Sequence, residues 1–279
     1  MTTTLRPTGP LQQSPDGTRS RSYDVCVNSR PVGGVELGTM PGFGPAIGVI
    51  RSLEIDEPDR GRGRGTVAAL AAEEVLRGWG CRQVQISVPA GAAVALRMAD
   101  ALGYTERSRN MAKRLGGTAP ALPEGVTLRP MTAAEFEDWH ATARETFARQ
   151  WIERGVPEAA ARAKSEASHR EALPDGLATE GAAFHVVVEN GAVAGRLWTG
   201  QREPAPGVRE AYVYDIEVAG AVRGKGYGRA LMLLAERTAR GRGLDVIALH
   251  VFADNTPALR LYESLGYRTT HINSFKHLL

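Results

Sequence analysis

The sequence is poor in lysine and cysteine and has no long apolar run. Only four of its 34 basic residues are lysines, and the two cysteines, Cys26 and Cys81, form no metal-type spacing. The six histidines show no ligand spacing either, so we predict no metal. No stretch approaches the roughly 18–20 apolar residues that a membrane span needs. The first 22 residues lack the apolar run of a secretory signal, so we expect a cytoplasmic protein without membrane association.

Charge is nearly balanced along the 279 residues. Lysine and arginine number 34 and aspartate and glutamate 31, which gives a net charge of +3. The basic residues are scattered and interleaved with acids, whereas a nucleic-acid-binding surface needs them clustered on one element. With 43% hydrophobic residues the composition is that of a globular protein, and we expect no nucleic-acid partner.

The chain contains two copies of one unit. Residues 60–65 (RGRGRG) resemble residues 223–228 (RGKGYG), which lie 163 positions further on. A constant offset over some 80 residues indicates an internal repeat. The same offset relates further matching residues: 102–104 to 265–267, Asn110 to Asn273 and Lys113 to Lys276.

Composition predicts the boundaries of these copies. The first lacks room for the opening strand and two helices of the second, and prolines and glycines between the copies are typical of a linker. Strand and helix patterns interspersed in each copy predict an α/β fold. The predicted segments are a flexible segment at 1–22, a truncated unit at 23–117, a linker at 118–125 and a complete unit at 126–279.

A glycine turn joins a predicted strand at 210–218 to a predicted helix at 226–240. Glycines there let backbone N–H groups converge at the positive end of the helix, an arrangement that holds a phosphate or diphosphate. A dinucleotide-binding turn would need glycine where Arg229 stands, and a mononucleotide P-loop would need serine or threonine where Gly226 stands. The remaining pattern is Arg-x-x-Gly-x-Gly, for which a plain glycine-rich turn is the alternative.

Further motifs surround this turn. The strand at 212–218 precedes it, and the segment 249–255, Tyr262 and the Leu-Gly-Tyr at 265–267 follow it in order. This run resembles the GNAT superfamily of acyl-CoA-dependent N-acyltransferases, over nearly all of 126–279. The first copy resembles a truncated GNAT unit. The resemblance implies two α/β units, each a mixed, mostly antiparallel sheet flanked by helices. We expect the units to pack as an intramolecular pseudo-dimer, and a homo-oligomer stays open.

The resemblance implies direct transfer from acetyl-CoA to an amine of a small-molecule or peptide acceptor. The backbone around Ile216 and Val218 would bind the cofactor's pantetheine arm, with the Val218 N–H polarising the thioester carbonyl, and Asn255 would contact the arm. Tyr262 matches the family's general acid, which protonates the leaving thiolate. The turn would hold the diphosphate through its backbone amides: Arg223, Gly224, Lys225, Gly226, Tyr227, Gly228 and Arg229.

Amine acceptors also need a base. An alkylammonium has a pKa of about 10, so a proton must leave before the nitrogen attacks. Three residues are candidates: His250, Glu217 and Asp215. Glu217 and Asp215 share one face of the predicted strand, and His250 needs the least pKa adjustment.

The first copy departs from this pattern. At the offset of 163, it has Ala99, Ala92 and Ser87 where the second copy has Tyr262, Asn255 and His250. We therefore expect catalysis in the C-terminal copy, and whether the first copy binds coenzyme A or only packs stays open. Two alternatives remain: a tandem acetyltransferase like mycothiol synthase, and a non-catalytic acyl-CoA-binding protein.

Overall fold

The computed structural model of the chain describes residues 3–41, 46–117, 121, 125–153 and 155–278. It divides into two compact units, and neither is continuous in sequence. The predicted linker at 118–125 falls, apart from Ala121 and Gly125, outside the described residues. Unit 1 comprises Met1–Arg107, Ala148–Ala167 and His271–Leu279, and unit 2 comprises Ser108–Phe147 and Ser168–Thr270.

Unit 1 is a mixed sheet with two helices. The strands are β1 (Thr3–Pro7), β2 (Gln12–Gln13), β3 (Arg19–Val27), β4 (Arg30–Thr39), β5 (Ile47–Ile55), β6 (Gln83–Pro89) and part of β13 (Arg268–His277). They lie in the order β1, β3, β4, β5, β6, β13, and β2 pairs with β3. Only the β5–β6 pair is parallel among the strand pairs described for this unit. The helices are α1 (Arg64–Gly78) and α2 (Ala93–Ala101).

Small residues let α1 approach this sheet closely. Ala68, Ala72 and Leu76 recur every four residues, so they lie on one face of the helix, and all three are fully buried. A second cover comes from residues 148–167, where Val156 and Ala161 pack on Ile47. This segment belongs to the second repeat, and it lies against a sheet whose own repeat lacks the two opening helices.

Unit 2 has the same plan with two long helices added. Its strand order is β8 (Thr127–Pro130), β9 (Ala183–Glu189), β10 (Ala192–Ala205), β11 (Val208–Val218), β12 (Val246–Phe252) and β7 (Thr105–Arg114). The helices are α3 (Ala133–Ile152), α4 (Glu158–Ala172), α5 (Tyr227–Gly241) and α6 (Thr256–Ser264), of which α3 and α4 run across the boundary between the units. A capping box starts α3, with Thr132 N–H donating to Glu135 Oε2 at 2.8 Å and Glu135 N–H donating to Thr132 Oγ1 at 3.3 Å.

Apolar residues cover both faces of the unit 2 sheet. On one face Leu231, Met232 and Ala235 of α5 are buried against the strands. On the other, α3 brings Phe136 and Trp139 onto the sheet, where they pack with the strand aromatics Phe184 and Trp198. These two layers hold β11 in place, and the candidate site lies along that strand.

The final strand of each repeat completes the unit that is built mainly from the other repeat. Strand β7 pairs with β12 from Ser108↔Phe252 to Arg114↔Val246, and β13 pairs with β6 from His271↔Pro89 to His277↔Gln83. An ion pair with a buried glutamate fixes each strand. Lys113 of β7 contacts Glu236 of α5 at 2.7 Å, and Lys276 of β13 contacts Glu73 of α1 at 2.7 Å. A buried carboxylate without a partner charge would lower the stability of the fold. The buried glutamate of each helix therefore requires the lysine of the strand that packs beside it.

The beginning of the chain differs from the sequence-based expectation. We predicted a flexible segment at 1–22 and no opening strand in the first copy, but β1 pairs with β3 from Thr3↔Val27 to Pro7↔Tyr23. Leu5 packs against the core of unit 1. This contact anchors β1 although the residues on either side of Leu5 are polar. In the part of the chain that the structure describes, no helix is long and apolar enough to span a membrane.

Candidate active site

Strands β11 and β12 separate halfway along their length. They pair in parallel from Ala211↔Ile247 to Val213↔Leu249, where the register described for them ends. Both strands continue, β11 to Val218 on its other edge against β10 and β12 to Phe252 against β7. The backbone of residues 214–218 therefore borders a gap between two strands of one sheet, where an extended ligand can pair with it.

A β-bulge in β11 directs side chains at this gap. The register with β10 shifts between Trp198↔Asp215 and Thr199↔Val213, which leaves Tyr214 as the extra residue. After the bulge, Ile216 and Val218 pack against the core beneath α5, so Asp215 and Glu217 lie on the opposite face.

His250 lies on that same face of β12. Its neighbours Leu249 and Val251 are buried in the core on the α5 face, and the side chains of a strand alternate. His250 is the first residue after the last β11–β12 pair, and its ring contacts Phe252 edge-on at 5.1 Å. The three predicted base candidates therefore share one face and border one gap.

Asp215 is the most distinctive of these three groups. The Trp139 indole N–H donates to its Oδ2 at 2.8 Å. Burial raises the pKa of the Asp215 carboxyl, the Trp139 hydrogen bond opposes that rise, and the nearby Glu217 charge adds to it; the net direction is upward. A carboxylate with a raised pKa holds a proton more readily than an ordinary surface aspartate.

Tyr262 is carried by α6 and lies near Asp215. Its side chain is buried, 5% exposed, in the core on the α5 face. Burial raises the pKa of its phenol to about 12, and the negative charge of Asp215 contributes to that rise. Tyr262 and Asp215 are thus close enough to interact electrostatically although they are carried by different elements.

The glycine turn after β11 has an open backbone. Gly224 and Gly226 have φ of +81° and +85°, a left-handed conformation that favours glycine, and no atom lies within 4 Å of a Cβ built on either. The first intrahelical bond of α5 runs from Ala230 N–H to Gly226 C=O. The amides of residues 227–229 precede that ladder and form the positive end of the helix.

Side chains of the turn are already held by protein partners. Arg223 Nε donates to the Val218 carbonyl at 3.2 Å, and Arg229 Nη2 donates to Ser264 Oγ at 2.6 Å. Glu189 of β9 accepts from both Lys225 Nζ and the Tyr227 hydroxyl, each at 2.7 Å. These bonds brace the turn from both sides, so its backbone amides keep one orientation.

Two predicted cofactor residues have a visible packing role. A Cβ at Gly228 would lie 3.2 Å from Leu261 Cδ2, so this glycine permits the close approach of α5 and α6. Asn255 caps α6 by accepting from Ala258 N–H at 3.3 Å. The cap leaves the Asn255 amide NH₂ group as the part that could contact a ligand.

Unit 1 repeats the backbone features of this site. Strands β5 and β6 pair in parallel only as far as Ile50↔Ile86, and Arg51 is the extra residue of a bulge at the same position. Its turn has Gly61 and Gly63 at φ of +72° and +71°, and Arg60 Nε donates to the Ile55 carbonyl at 2.7 Å.

The side chains of unit 1 differ. Ser52 stands in the position of Asp215, and the buried carboxylate of Asp59 sits beside the turn. Asp59 contacts Arg64 and accepts two hydrogen bonds from Arg30, at 2.8 and 3.1 Å. Unit 1 therefore has the open gap, the turn and a glutamate, Glu54, in the position of Glu217, but it lacks counterparts of Asp215 and Tyr262.

Sequence reasoning missed Trp139 and Glu189. Trp139 lies 76 residues before Asp215 in the chain, and α3 has no counterpart in the first repeat that could have drawn attention to it. Glu189 simply precedes a hairpin turn. Glu135, one of several acids on α3, is engaged by Arg129, which with the capping bonds lowers the pKa of its carboxyl to about 2. Among the described residues no cluster of histidine, cysteine and acidic side chains could hold a metal ion.

Comparison with known proteins matches both repeats to one family. The model of the acetyltransferase (GNAT) family matches residues 4–104 and 136–267. A mycothiol acetyltransferase of Thermobispora bispora is 33% identical over 261 residues, which are 90% of this chain and 78% of that protein. YdgE of Bacillus subtilis, named an uncharacterized N-acetyltransferase, is 34% identical over 154 residues, which are 54% of this chain and 98% of that protein.

Solved structures share the fold across both repeats. A GCN5-related N-acetyltransferase from Sphaerobacter thermophilus aligns with a TM-score of 0.59 and 20% identity, over 92% of this chain and 80% of that one. A tandem GNAT protein from the clavulanic acid biosynthesis pathway aligns with a TM-score of 0.53 and 19% identity, over 95% and 85% of the two chains.

Proposed function

Because the chain belongs to the acetyltransferase (GNAT) family, we propose that it transfers an acetyl group from acetyl-CoA to a primary amine, with the chemistry in unit 2. The observation that carries this proposal is that Asp215, which lies just beyond the last β11–β12 pair, is close enough to Tyr262 to affect its phenol. In a direct transfer the amine attacks the thioester while both substrates are bound.

The residues present fit a long, anionic cofactor. Acetyl-CoA supplies the activated acetyl group as a thioester. The empty space at Gly224 and Gly226 and the amides at the start of α5 suit a diphosphate. The backbone of Ile216 and Val218, beyond the last β11–β12 pair, suits an extended amide-bearing arm, and the Val218 N–H would polarise the thioester carbonyl.

Asp215 is the base in this proposal. A protonated amine must lose a proton before it attacks, and a carboxylate with a raised pKa accepts that proton more readily than an ordinary one. The Trp139 indole N–H donates to Oδ2, which fixes the orientation of the carboxylate. Glu217 and His250 share the face and are the alternatives for this step.

Tyr262 is the proton donor to the departing thiolate. With a pKa of about 12 its phenol stays protonated near neutral pH. Part of that elevation comes from the charge of Asp215, which disappears when Asp215 takes the proton of the amine. Proton uptake by Asp215 therefore makes Tyr262 a stronger acid at the stage where it donates.

A second candidate concerns the acceptor. Mycothiol acetyltransferase of Thermobispora bispora matches 90% of this chain, including both repeats, which favours the same acceptor for this protein. The wider proposal, a small-molecule or peptide amine, includes this acceptor as one case.

Thiol release from acetyl-CoA across a panel of amines, with the full-length chain, tests the function. We expect release with at least one amine, and Asp215→Asn should lower kcat by roughly 10²–10⁴-fold. Ser52→Ala, the matched change in unit 1, should leave it unaltered. Acceptor-independent binding of acetyl-CoA without release with any amine would instead identify a non-catalytic binding protein. An equal loss in Glu217→Gln or His250→Asn, but not in Asp215→Asn, would move the base to that residue.

A further inference from the structure

The β11 bulge places two consecutive side chains on one face. Tyr214 is the extra residue opposite Trp198, and its ring stacks on the Trp198 ring with centroids 4.5 Å apart and planes at 17°. Asp215, the next residue, is held on this face by Trp139, whose ring is 5.4 Å from that of Trp198. In a regular strand Tyr214 and Asp215 would point to opposite faces, so the bulge is what makes an aromatic ring and a carboxylate neighbours.

The surrounding backbone is shaped to hold the Tyr214 ring. A Cβ at Gly200 would lie 2.8 Å from Tyr214 Cε2, so only glycine leaves room for the ring there. Tyr212 contacts the ring edge-on at 4.9 Å. We call the stacked pair Tyr214 and Trp198 the aromatic platform. Although three neighbours fix its position, the Tyr214 side chain remains 37% exposed, whereas Trp198 beneath it is only 5% exposed.

The platform has acidic neighbours, and the arginine that acts on Tyr214 is held by other groups. Burial is the main cause of the raised pKa of the Tyr214 phenol, which Arg202 lowers and Glu171 of α4 raises further. The Arg202 guanidinium lies 3.8 Å above the ring of Tyr212 and contacts Glu210 at 2.7 Å. Arg196, opposite Glu217 in the register, weakly opposes the raised pKa of Asp215. Strand β11 thus already holds one cation on a tyrosine face, and the Tyr214 ring is the part of the aromatic platform that remains exposed.

We propose that the aromatic platform binds a cationic group of the acceptor by a cation–π contact, so that the acceptor is a small organic cation whose amine is presented to Asp215. Aromatic faces attract ammonium groups within about 6 Å of the ring centroid. This inference rests on the proposed function, since it assigns the acceptor class to the same site. A neutral ring, such as a sugar stacked on Tyr214, is the competing occupant.

A pair of probes of equal shape separates these occupants in the full-length chain. Choline carries a quaternary ammonium, and 3,3-dimethyl-1-butanol has the same shape without the charge. Their affinities are measured by calorimetry without donor and as inhibition constants against the best amine acceptor. We expect choline to bind competitively and the neutral alcohol to bind roughly tenfold more weakly. Equal affinity of the two probes would overturn the proposal.

Two variants then locate the contact. Tyr214→Leu should weaken choline binding roughly 3- to 30-fold, whereas Tyr214→Phe, which keeps the π face, should bind choline within twofold of the parent chain. Unchanged choline affinity in a folded Tyr214→Leu chain would overturn the assignment of the site. Calorimetry needs no acetyl transfer, so tyrosine-dependent choline binding in a chain that acetylates no amine would contradict the proposed function alone. Acetyl transfer that is indifferent to Tyr214 would contradict this inference alone.

Discussion

The two units share a backbone design and differ in a handful of side chains. Both have a parallel strand pair that separates, a bulge where it separates, a turn with two left-handed glycines, and an arginine that donates back to the end of the strand. Unit 1 keeps Glu54 in the position of Glu217, but the positions of Asp215, Tyr262, Asn255 and His250 hold Ser52, Ala99, Ala92 and Ser87 there. The backbone geometry of such a site is therefore a property of the fold, whereas its reactivity depends on a few side chains that can differ while the backbone stays the same.

The turns of the two units also pair their cations with acids from different parts of the fold. In unit 2 the turn supplies the cation, Lys225, and the neighbouring strand supplies the acid, Glu189. In unit 1 the acid, Asp59, stands beside the turn and takes Arg30 and Arg64 as partners. An internal carboxylate near the start of α1 competes with any incoming anion, which sets the two turns apart despite their equal shape.

The largest effect is expected from separating the repeats. A fragment of residues 121–279 lacks β7, so β12 loses a paired edge and Glu236 loses Lys113, at a cost of about 3–5 kcal/mol for the unpaired carboxylate alone. We expect no folded, active fragment in size-exclusion and activity assays. As the control, a protease site placed at 118–125 and cut after folding should leave both strands in place and the activity intact. A monomeric, fully active 121–279 fragment would contradict the need for the exchanged strand.

Loss of the phenol at the candidate site should have the next largest effect. Tyr262→Phe keeps the buried ring and is expected to lower kcat by roughly 10²–10⁴-fold if proton donation limits the rate, with little change in cofactor affinity. Tyr104→Phe removes a buried phenol from unit 1 and should leave kcat unaltered. Steady-state kinetics decide the matter: equal kcat in the two variants would reduce Tyr262 to a packing residue.

A negative charge introduced into the glycine turn should have a smaller effect, and one that differs between the two units. Gly226→Asp puts a carboxylate where the diphosphate is expected, and we predict a roughly 10- to 100-fold loss of coenzyme A affinity by calorimetry. Gly226→Asn imposes the same backbone strain without the charge, so its loss of coenzyme A affinity should be much smaller. Gly63→Asp in unit 1 should leave affinity and turnover intact, and a large loss there would show that unit 1 takes part in cofactor binding.

The smallest effect is expected from the bond that orients Asp215. Trp139→Phe removes the N–H that stabilises the carboxylate, so the pKa of Asp215 should rise further. Because the base works when ionised, the rate increases with pH through that pKa, and the variant's acid limb should move to higher pH. We expect a rate loss of roughly tenfold or less on that limb and a normal rate above it. A pH profile lowered uniformly, without displacement, would mean that Trp139 acts through packing alone.

Most of the fold could be predicted from the internal repeat, because the constant offset allows the strands and helices of one copy to be assigned from those of the other. The exchange of final strands could not be predicted. Both strands carry the same markers, Asn110 with Lys113 and Asn273 with Lys276, so either would satisfy either unit. The bulge at Tyr214 has no sequence signature, since any residue can be the extra one, and in a regular strand Tyr214 and Asp215 would point to opposite faces. Trp139 is joined to Asp215 only by the tertiary fold.

The exchanged strands also determine the order in which the two units can finish folding during synthesis. The sheet of unit 1 is finished only when residues 271–277 pair with β6, and the lysine that neutralises Glu73 arrives with them. A nascent chain that has released its entire first repeat therefore still has an open sheet edge and an uncompensated buried acid. Such an edge invites pairing with other chains, and contacts between distant parts of a sequence form slowly. We expect the first repeat to be the segment most dependent on chaperones during synthesis, and both units to close in one late, shared step.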